Sequence, residues 1–206
     1  DLLRRGYLAT IRYTQTVVVP LCIGLFLSAE QLVLTLFGSQ WSEAVPVLRV
    51  MAIFSLIGSI GVNAGDVYKA LGRTGVLARL ALLELVALIP ALLIGARYGI
   101  VGVAWAHATV AAGDTAVRLA VANRMVGTTF ADVWRQVAPS LMAGAWMIAA
   151  VVPVLWLTGD AGATFSLFAA AGIGAAVYAT ALWKLDPTVV RRILGWVGLR
   201  REAGQS

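Results

Sequence analysis

Four ionisable side chains stand out inside long apolar runs: Glu84, His107, Asp114 and Arg118. Charges are costly in hydrocarbon, so such residues mark ion paths, proton relays or buried pairs. His107, Ala111, Asp114 and Arg118 follow one another at spacings of 4, 3 and 4 residues. On a helix that spacing puts all four on one face. Asp114 and Arg118, at i and i+4, are placed to pair. Glu84 sits near the middle of a separate run, about one and a half helical turns before Pro90. Two chemistries fit these residue types: a proton or cation relay, or the polar wall of a substrate path. The competing reading is a buried ion pair plus a satisfied histidine that join helices. The sequence leaves both open, and the candidate site is Glu84, His107, Asp114 and Arg118.

Other chemistry lacks its residues. His107 and Cys22 are the one histidine and the one cysteine. Together they cannot supply a structural or catalytic zinc site, and Cys22 has no partner within the chain. No phosphate-binding G-x-x-x-x-G-K-[ST] motif occurs, and no G-x-S-x-G elbow occurs. Gly172-Ile173-Gly174 is a fragment of a dinucleotide pattern inside an apolar run and carries no weight. The expectation is a protein that is not an enzyme, with no catalytic residue, no metal and no cofactor.

The elements that would hold this face must be membrane helices. The chain has 206 residues, of which 60% are hydrophobic and 13% charged, and its mean hydropathy is +0.87. Ordinary domains are about 45–50% apolar and about 25% charged, so little room is left for a soluble enzyme. Six spans of about 20 residues use roughly 120 positions, which the length accommodates. The expected fold class is all-α, a polytopic membrane bundle of six transmembrane helices. The net charge of +6 then reports topology before it suggests nucleic acid, which is not an expected partner.

The spans fall at residues 13–28, with a surface helix at 29–37, then 43–70, 75–96, 100–122, 137–157 and 163–183. Ser28 and Glu30 suggest the start of the surface helix, although one tilted span through residue 37 competes. Pro46 and Pro139 suit first turns, and Gly58, Gly61 and Gly65 suggest a bend in the second span. Residues 184–206 form a tail in which 189–199 is a further short surface helix. No alternating strand pattern competes.

Basic residues cluster on one side. Arg4, Arg5 and Arg12 precede the first span; Lys69, Arg73 and Arg79 lie around the second link. Arg118, Arg124 and Arg135 lie around the fourth link, and Lys184, Arg191, Arg192, Arg200 and Arg201 follow the last span. Only Arg49 and Arg97 fall opposite. This alternation predicts that both termini are cytoplasmic. Arg49 can snorkel outward, Asp66 and Lys69 suit an interfacial pair, and Glu30 suits an interfacial helix start. Gly61/Gly65, Ala104/Ala108/Ala112 and Gly172/Ala176/Thr180 have the spacing that lets membrane helices approach closely.

Three stretches carry a resemblance. Leu36-Phe37-Gly38, Trp41, Ala44-Val45-Pro46 and Leu48 are similar to a junction of bacterial polysaccharide flippases. Ala70-Leu71-Gly72-Arg73 resembles the turn one span later, and Tyr98 to Ala104 resembles their glycine-rich start of the next span. In order and spacing they resemble the C-terminal part of the oligosaccharide-lipid flippases in the multidrug/oligosaccharidyl-lipid/polysaccharide exporter superfamily. That resemblance implies twelve to fourteen helices in two lobes, of which this chain holds the last six. It implies alternating access and a lipid-linked saccharide of the polyprenyl pyrophosphate type as substrate. It also implies a bacterial inner membrane, with H+ or Na+ as possible coupling ions. The N-terminal lobe of the same polypeptide is then the missing partner, an expectation that the first residue, Asp1, also suggests. A cation-coupled multidrug antiporter of the same superfamily and a non-transporting six-helix subunit are the alternatives. No cavity residue carries over from the resemblance, so the four candidate residues rest on physics alone.

Overall fold

The computed structural model describes residues 2–189, and every described regular element is helical. The helices are α1 (Leu2–Leu27), α2 (Ala29–Leu36), α3 (Ala44–Ala70), α4 (Thr74–Gly95), α5 (Gly99–Val126), α6 (Phe130–Thr158) and α7 (Ala163–Leu185). Short 3-10 turns sit at Ser39–Trp41, Ala96–Tyr98 and Gly159–Ala161. Among the described residues, five stretches are long and apolar enough to cross a membrane. One of them, Thr74–Val126 with 53 residues, folds back at residues 96–98 into the α4–α5 hairpin. The chain is therefore a multi-pass membrane protein, and its described residues form six long helices and the short α2. The surface helix expected at residues 189–199 lies outside the described residues.

Long helices start earlier than apolar runs do. α1 begins at Leu2 and carries Arg4, Arg5 and Arg12 on its first turns. α6 begins at Phe130, so Pro139 lies inside it rather than in its first turn. Its start is a capping box: the Thr129 hydroxyl accepts from the Asp132 amide at 3.2 Å, and the Asp132 carboxylate accepts from the Thr129 amide at 3.0 Å. Thr129-x-x-Asp132 spells that motif. Ser28, by contrast, does not cap α2. Its hydroxyl donates back to the Gly24 carbonyl at 2.6 Å, and the backbone ladder runs through it, with Ser28 N–H on Gly24 and Leu32 N–H on Ser28. α2 is thus a bent continuation of α1, which packs on α3 and α7. At that end Arg49 approaches Glu30 at 3.7 Å, both exposed.

Neighbours form a row in the order α7, α6, α1, α3, α5, α4. α1 and α3 run antiparallel, whereas α3 and α5 run side by side in the same direction, as do α1 and α6. Close approach relies on small residues. A Cβ on Gly61 of α3 would meet Thr115 of α5 at 3.0 Å, and one on Gly144 of α6 would meet Ile23 of α1 at 2.5 Å. On α7 the packing glycine is Gly174, set against Met147 and Val151. The Gly172/Ala176/Thr180 stripe lies on the exposed face of that helix instead.

The α4–α5 hairpin depends on two glycines. A Cβ on Gly95 would stand 2.6 Å from the Gly102 carbonyl oxygen and 2.8 Å from Ala106. A Cβ on Gly102 would collide with the Gly95 carbonyl. Backbone atoms cannot swing away as side-chain ends do. Gly95→Val is expected to destabilise the protein by about 1–3 kcal/mol, the usual cost of overpacking. Thermal unfolding in detergent measures it. An unchanged midpoint would mean that the hairpin is not this tight.

The end of the bundle that carries residues 2 and 185 is tied by charges. Arg12 of α1 grips Asp186, just beyond α7, with both arms of its guanidinium: Nε donates to Oδ2 at 2.6 Å, and the second arm meets Oδ1. Thr188 accepts from Arg12 at 2.9 Å and donates to Asp186 at 2.7 Å. Asp186 is only 3% exposed. Arg4 bonds Asp132 of α6 at 3.1 Å. Bidentate, charge-assisted geometry of the Arg12 kind is the strong form of ion pair.

Candidate functional site

The acid on α4 and the pair on α5 converge. Arg118 sits on the α5 face turned toward both α3 and α4. Its Nε donates to Asp114 one turn earlier. Its Nη2 donates to Glu84 Oε2 of α4 at 3.0 Å. The side chains are 17%, 14% and 31% exposed for Arg118, Asp114 and Glu84. They are sheltered but not sealed, which is how charges persist within a bundle. Counted by formal charge, two carboxylates face one guanidinium, a surplus of one carboxylate.

Position is fixed from behind. The Tyr68 hydroxyl on α3 donates to the Arg118 carbonyl at 2.6 Å, and Tyr68 is fully buried. Gly61 lets α3 close on Thr115, three residues before Arg118. The helix that presents Arg118 is therefore held against α3, and Arg118 lines a groove. That groove has a volume of about 550 Å³, and its lining includes Phe54, Ser59, Glu84, Asp114, Thr115 and Arg118. Such a polar cluster along an apolar cavity can orient a polar group, or exchange a proton or cation at the surplus carboxylate.

His107 is not brought to the carboxylates. It stacks on Phe54 with ring centroids 4.7 Å apart at 44°. It lies two turns from Asp114, about 10 Å along the helix, and no hydrogen bond among the described residues joins it to the other three. Phe54 lines the groove, so His107 stands at its border. Asp66 and Lys69 pair at 3.3 Å and are exposed, as their spacing suggests. No group of three or more His, Cys, Asp and Glu able to hold a metal occurs among the described residues.

Sequence reasoning missed a polar seam beside the groove. Gln15 of α1, wholly buried, donates to Ser59 of α3 at 2.8 Å. Asn63 lies one turn along α3, also buried. A glutamine and an asparagine interrupting apolar spans were the available signal. The Arg12–Asp186 clamp had none, because its partners are 174 positions apart.

Comparison with known proteins adds family evidence to this geometry. Residues 1–46 match the family model described as polysaccharide biosynthesis protein. The chain resembles bacterial polysaccharide biosynthesis proteins. It is 33% identical over 73 residues to the teichuronic acid biosynthesis protein TuaB of Bacillus subtilis strain 168, which covers 35% of this chain and 15% of that protein. It is 28% identical over 85 residues to the lipopolysaccharide biosynthesis protein WzxC of Escherichia coli K12, covering 41% of this chain and 17% of that protein. The matched part thus spans less than a fifth of the length of these curated relatives. No solved structure matches the chain. The family match takes in α1, α2 and the start of α3. The family match therefore does not reach Glu84, Asp114 and Arg118, whose chemistry rests on geometry.

Proposed function

We propose that this chain is the C-terminal portion of a bacterial inner-membrane exporter that moves a lipid-linked oligosaccharide or polysaccharide unit across the membrane by alternating access. The observation that carries the reading is the groove with Glu84, Arg118 and Asp114, set in a multi-pass bundle similar to polysaccharide biosynthesis proteins. Alternating access rocks one repeat against another around a shared site. The row of helices supplies one wall, and the other wall belongs to an N-terminal lobe of the same polypeptide. The three charged side chains form part of the polar path, and the surplus carboxylate suits H+ or Na+ coupling. That same surplus favours a second reading, a cation-coupled multidrug antiporter of the same superfamily.

Reconstitution of the full-length protein in vesicles with a labelled polyprenyl-linked sugar tests the proposal. Flipping above the empty-vesicle rate, reduced by Glu84→Gln or Asp114→Asn, is the expected result. Export of a cationic drug without sugar-lipid flipping would favour the antiporter. Residues 1–206 alone are expected not to flip. The excess of basic residues on one side of the spans supports a topology with both ends of this chain in the cytoplasm. Cysteines at positions 124 and 135 are then protected from outside labelling, while one at position 97 is labelled. The reverse pattern would invert the topology.

A further inference from the structure

Three buried polar atoms on the facing sides of α1 and α3 have no partner: Gln15 Oε1, Asn63 Nδ2 and the Tyr7 hydroxyl. Their residues are 0%, 6% and 4% exposed. An orphaned buried polar group gives up its hydrogen bonds to water and gains none in return, and three on one helix pair is too many for a dry seam. The helices are antiparallel, and the Gln15–Ser59 bond fixes their register. Residue 11 then faces 63, and residue 7 faces 67. The three orphans are therefore consecutive along one line, with Ile11 beside them.

The line runs between two cavities. At one end Tyr7, Thr10, Asn63 and Asp66 line a pocket of 420 Å³. At the other end Ser59, the partner of Gln15, lines the groove that holds Glu84, Asp114 and Arg118. Asn63 and Ser59 are one turn apart, about 6 Å along the axis. A water hydrogen-bonded on both sides bridges roughly 5.5 Å between heavy atoms, twice a normal bond length. Buried waters take two to four polar partners. Asn63 offers a donor, Gln15 an acceptor, and the Tyr7 hydroxyl can be either.

We propose that the α1–α3 seam holds a short file of internal waters that joins the pocket at Tyr7, Asn63 and Asp66 to the groove at Glu84, Asp114 and Arg118. The file satisfies all three orphans. It also gives the charged cluster a route to water that does not pass through the groove mouth.

Hydroxyl-radical footprinting of the full-length protein in nanodiscs tests it, because radicals formed from bound water label the side chains beside that water. Ile11 and Val19 are both 0% exposed on the same helix. Ile11 lies between Tyr7 and Gln15 on α1 and packs in the cluster that holds Tyr7, Ala64 and Val67, whereas Val19 packs in the cluster of Ala143, Met147 and Val151. With rates normalised to the unfolded chain, Ile11 is expected to be labelled severalfold more than Val19. Equal protection of the two would overturn the proposal. Asn63→Leu gives a second reading: removing a water ligand should lower both Ile11 labelling and the thermal midpoint. In a dry seam the same change removes an orphan and raises the midpoint. If that variant does not fold, the wild-type comparison of Ile11 with Val19 still decides.

Discussion

Arg118→Leu in the full-length protein is expected to abolish transport and to lower stability by about 3 kcal/mol, the low end for removing one partner of a buried charge network. The low end applies because the groove is open and Glu84 is 31% exposed. Two carboxylates would then face each other with no cation between them. Arg118→Lys keeps the charge but loses the fork that reaches Asp114 and Glu84 from different nitrogens, so an intermediate effect is expected. The triple change Arg118→Leu, Glu84→Gln, Asp114→Asn should recover most of the lost stability without recovering transport. Thermal unfolding and sugar-lipid flipping separate the two roles. Unchanged unfolding in Arg118→Leu would mean that the cluster is not a network.

Arg12→Ala should be nearly as damaging, although it lies far from the groove. It strands Asp186, which is 3% exposed, and releases the chain beyond α7 from α1. A loss of about 2–3 kcal/mol is expected, most of it the penalty of an unpaired buried carboxylate. Asp186→Asn, which keeps the shape and removes the charge, should be milder. The clamp also carries a pH signature. Burial pushes the Asp186 carboxyl up, but the Arg12 hydrogen bonds and charge, with Thr188 and the Val189 amide, together hold it below its ordinary value of 3.8. A depressed acid contributes stability that is present above its unfolded value and is lost as pH falls through its folded value. Stability should therefore be flat from neutral pH to about 4 on this account and fall below that. Asp186→Asn should flatten the acid limb. An acid limb of the same steepness in that variant would sink the assignment.

Periodicity and charge made much of the bundle legible. The i, i+4 spacing of Asp114 and Arg118 is a local fact, and the structure pairs them. Glu84 shows the limit. Its depth in an apolar run was readable, but its partner lies 34 residues away on a different helix. Only the turn of the α4–α5 hairpin sets which face meets which. His107 shares the stripe with Asp114 by spacing, yet two turns of helix separate them, and Phe54 of α3 takes its ring. A stripe states direction and not distance. Helix starts were misplaced for a related reason. The polar first turns of α1 and α6 are stabilised by ties such as Arg4–Asp132 and the Thr129 capping box, while hydropathy registers only the apolar middle. The Gln15–Ser59 seam went unread because uncharged amides barely disturb an apolar average.

The side-by-side placement of α1 with α6 and α7 has a consequence in time. Chains are synthesised at about 5–20 residues per second, so the 174 positions between Arg12 and Asp186 take about 10–35 s to emerge. For about the first two thirds of that interval α1 has its α6 and α7 neighbours not yet made, and only α3 can shelter Gln15. A pause or truncation between α5 and α6 would leave Arg12 and the α1 surface around Val19 and Ile23 uncovered. That makes this stretch of synthesis the window in which membrane quality control would find the nascent protein most vulnerable.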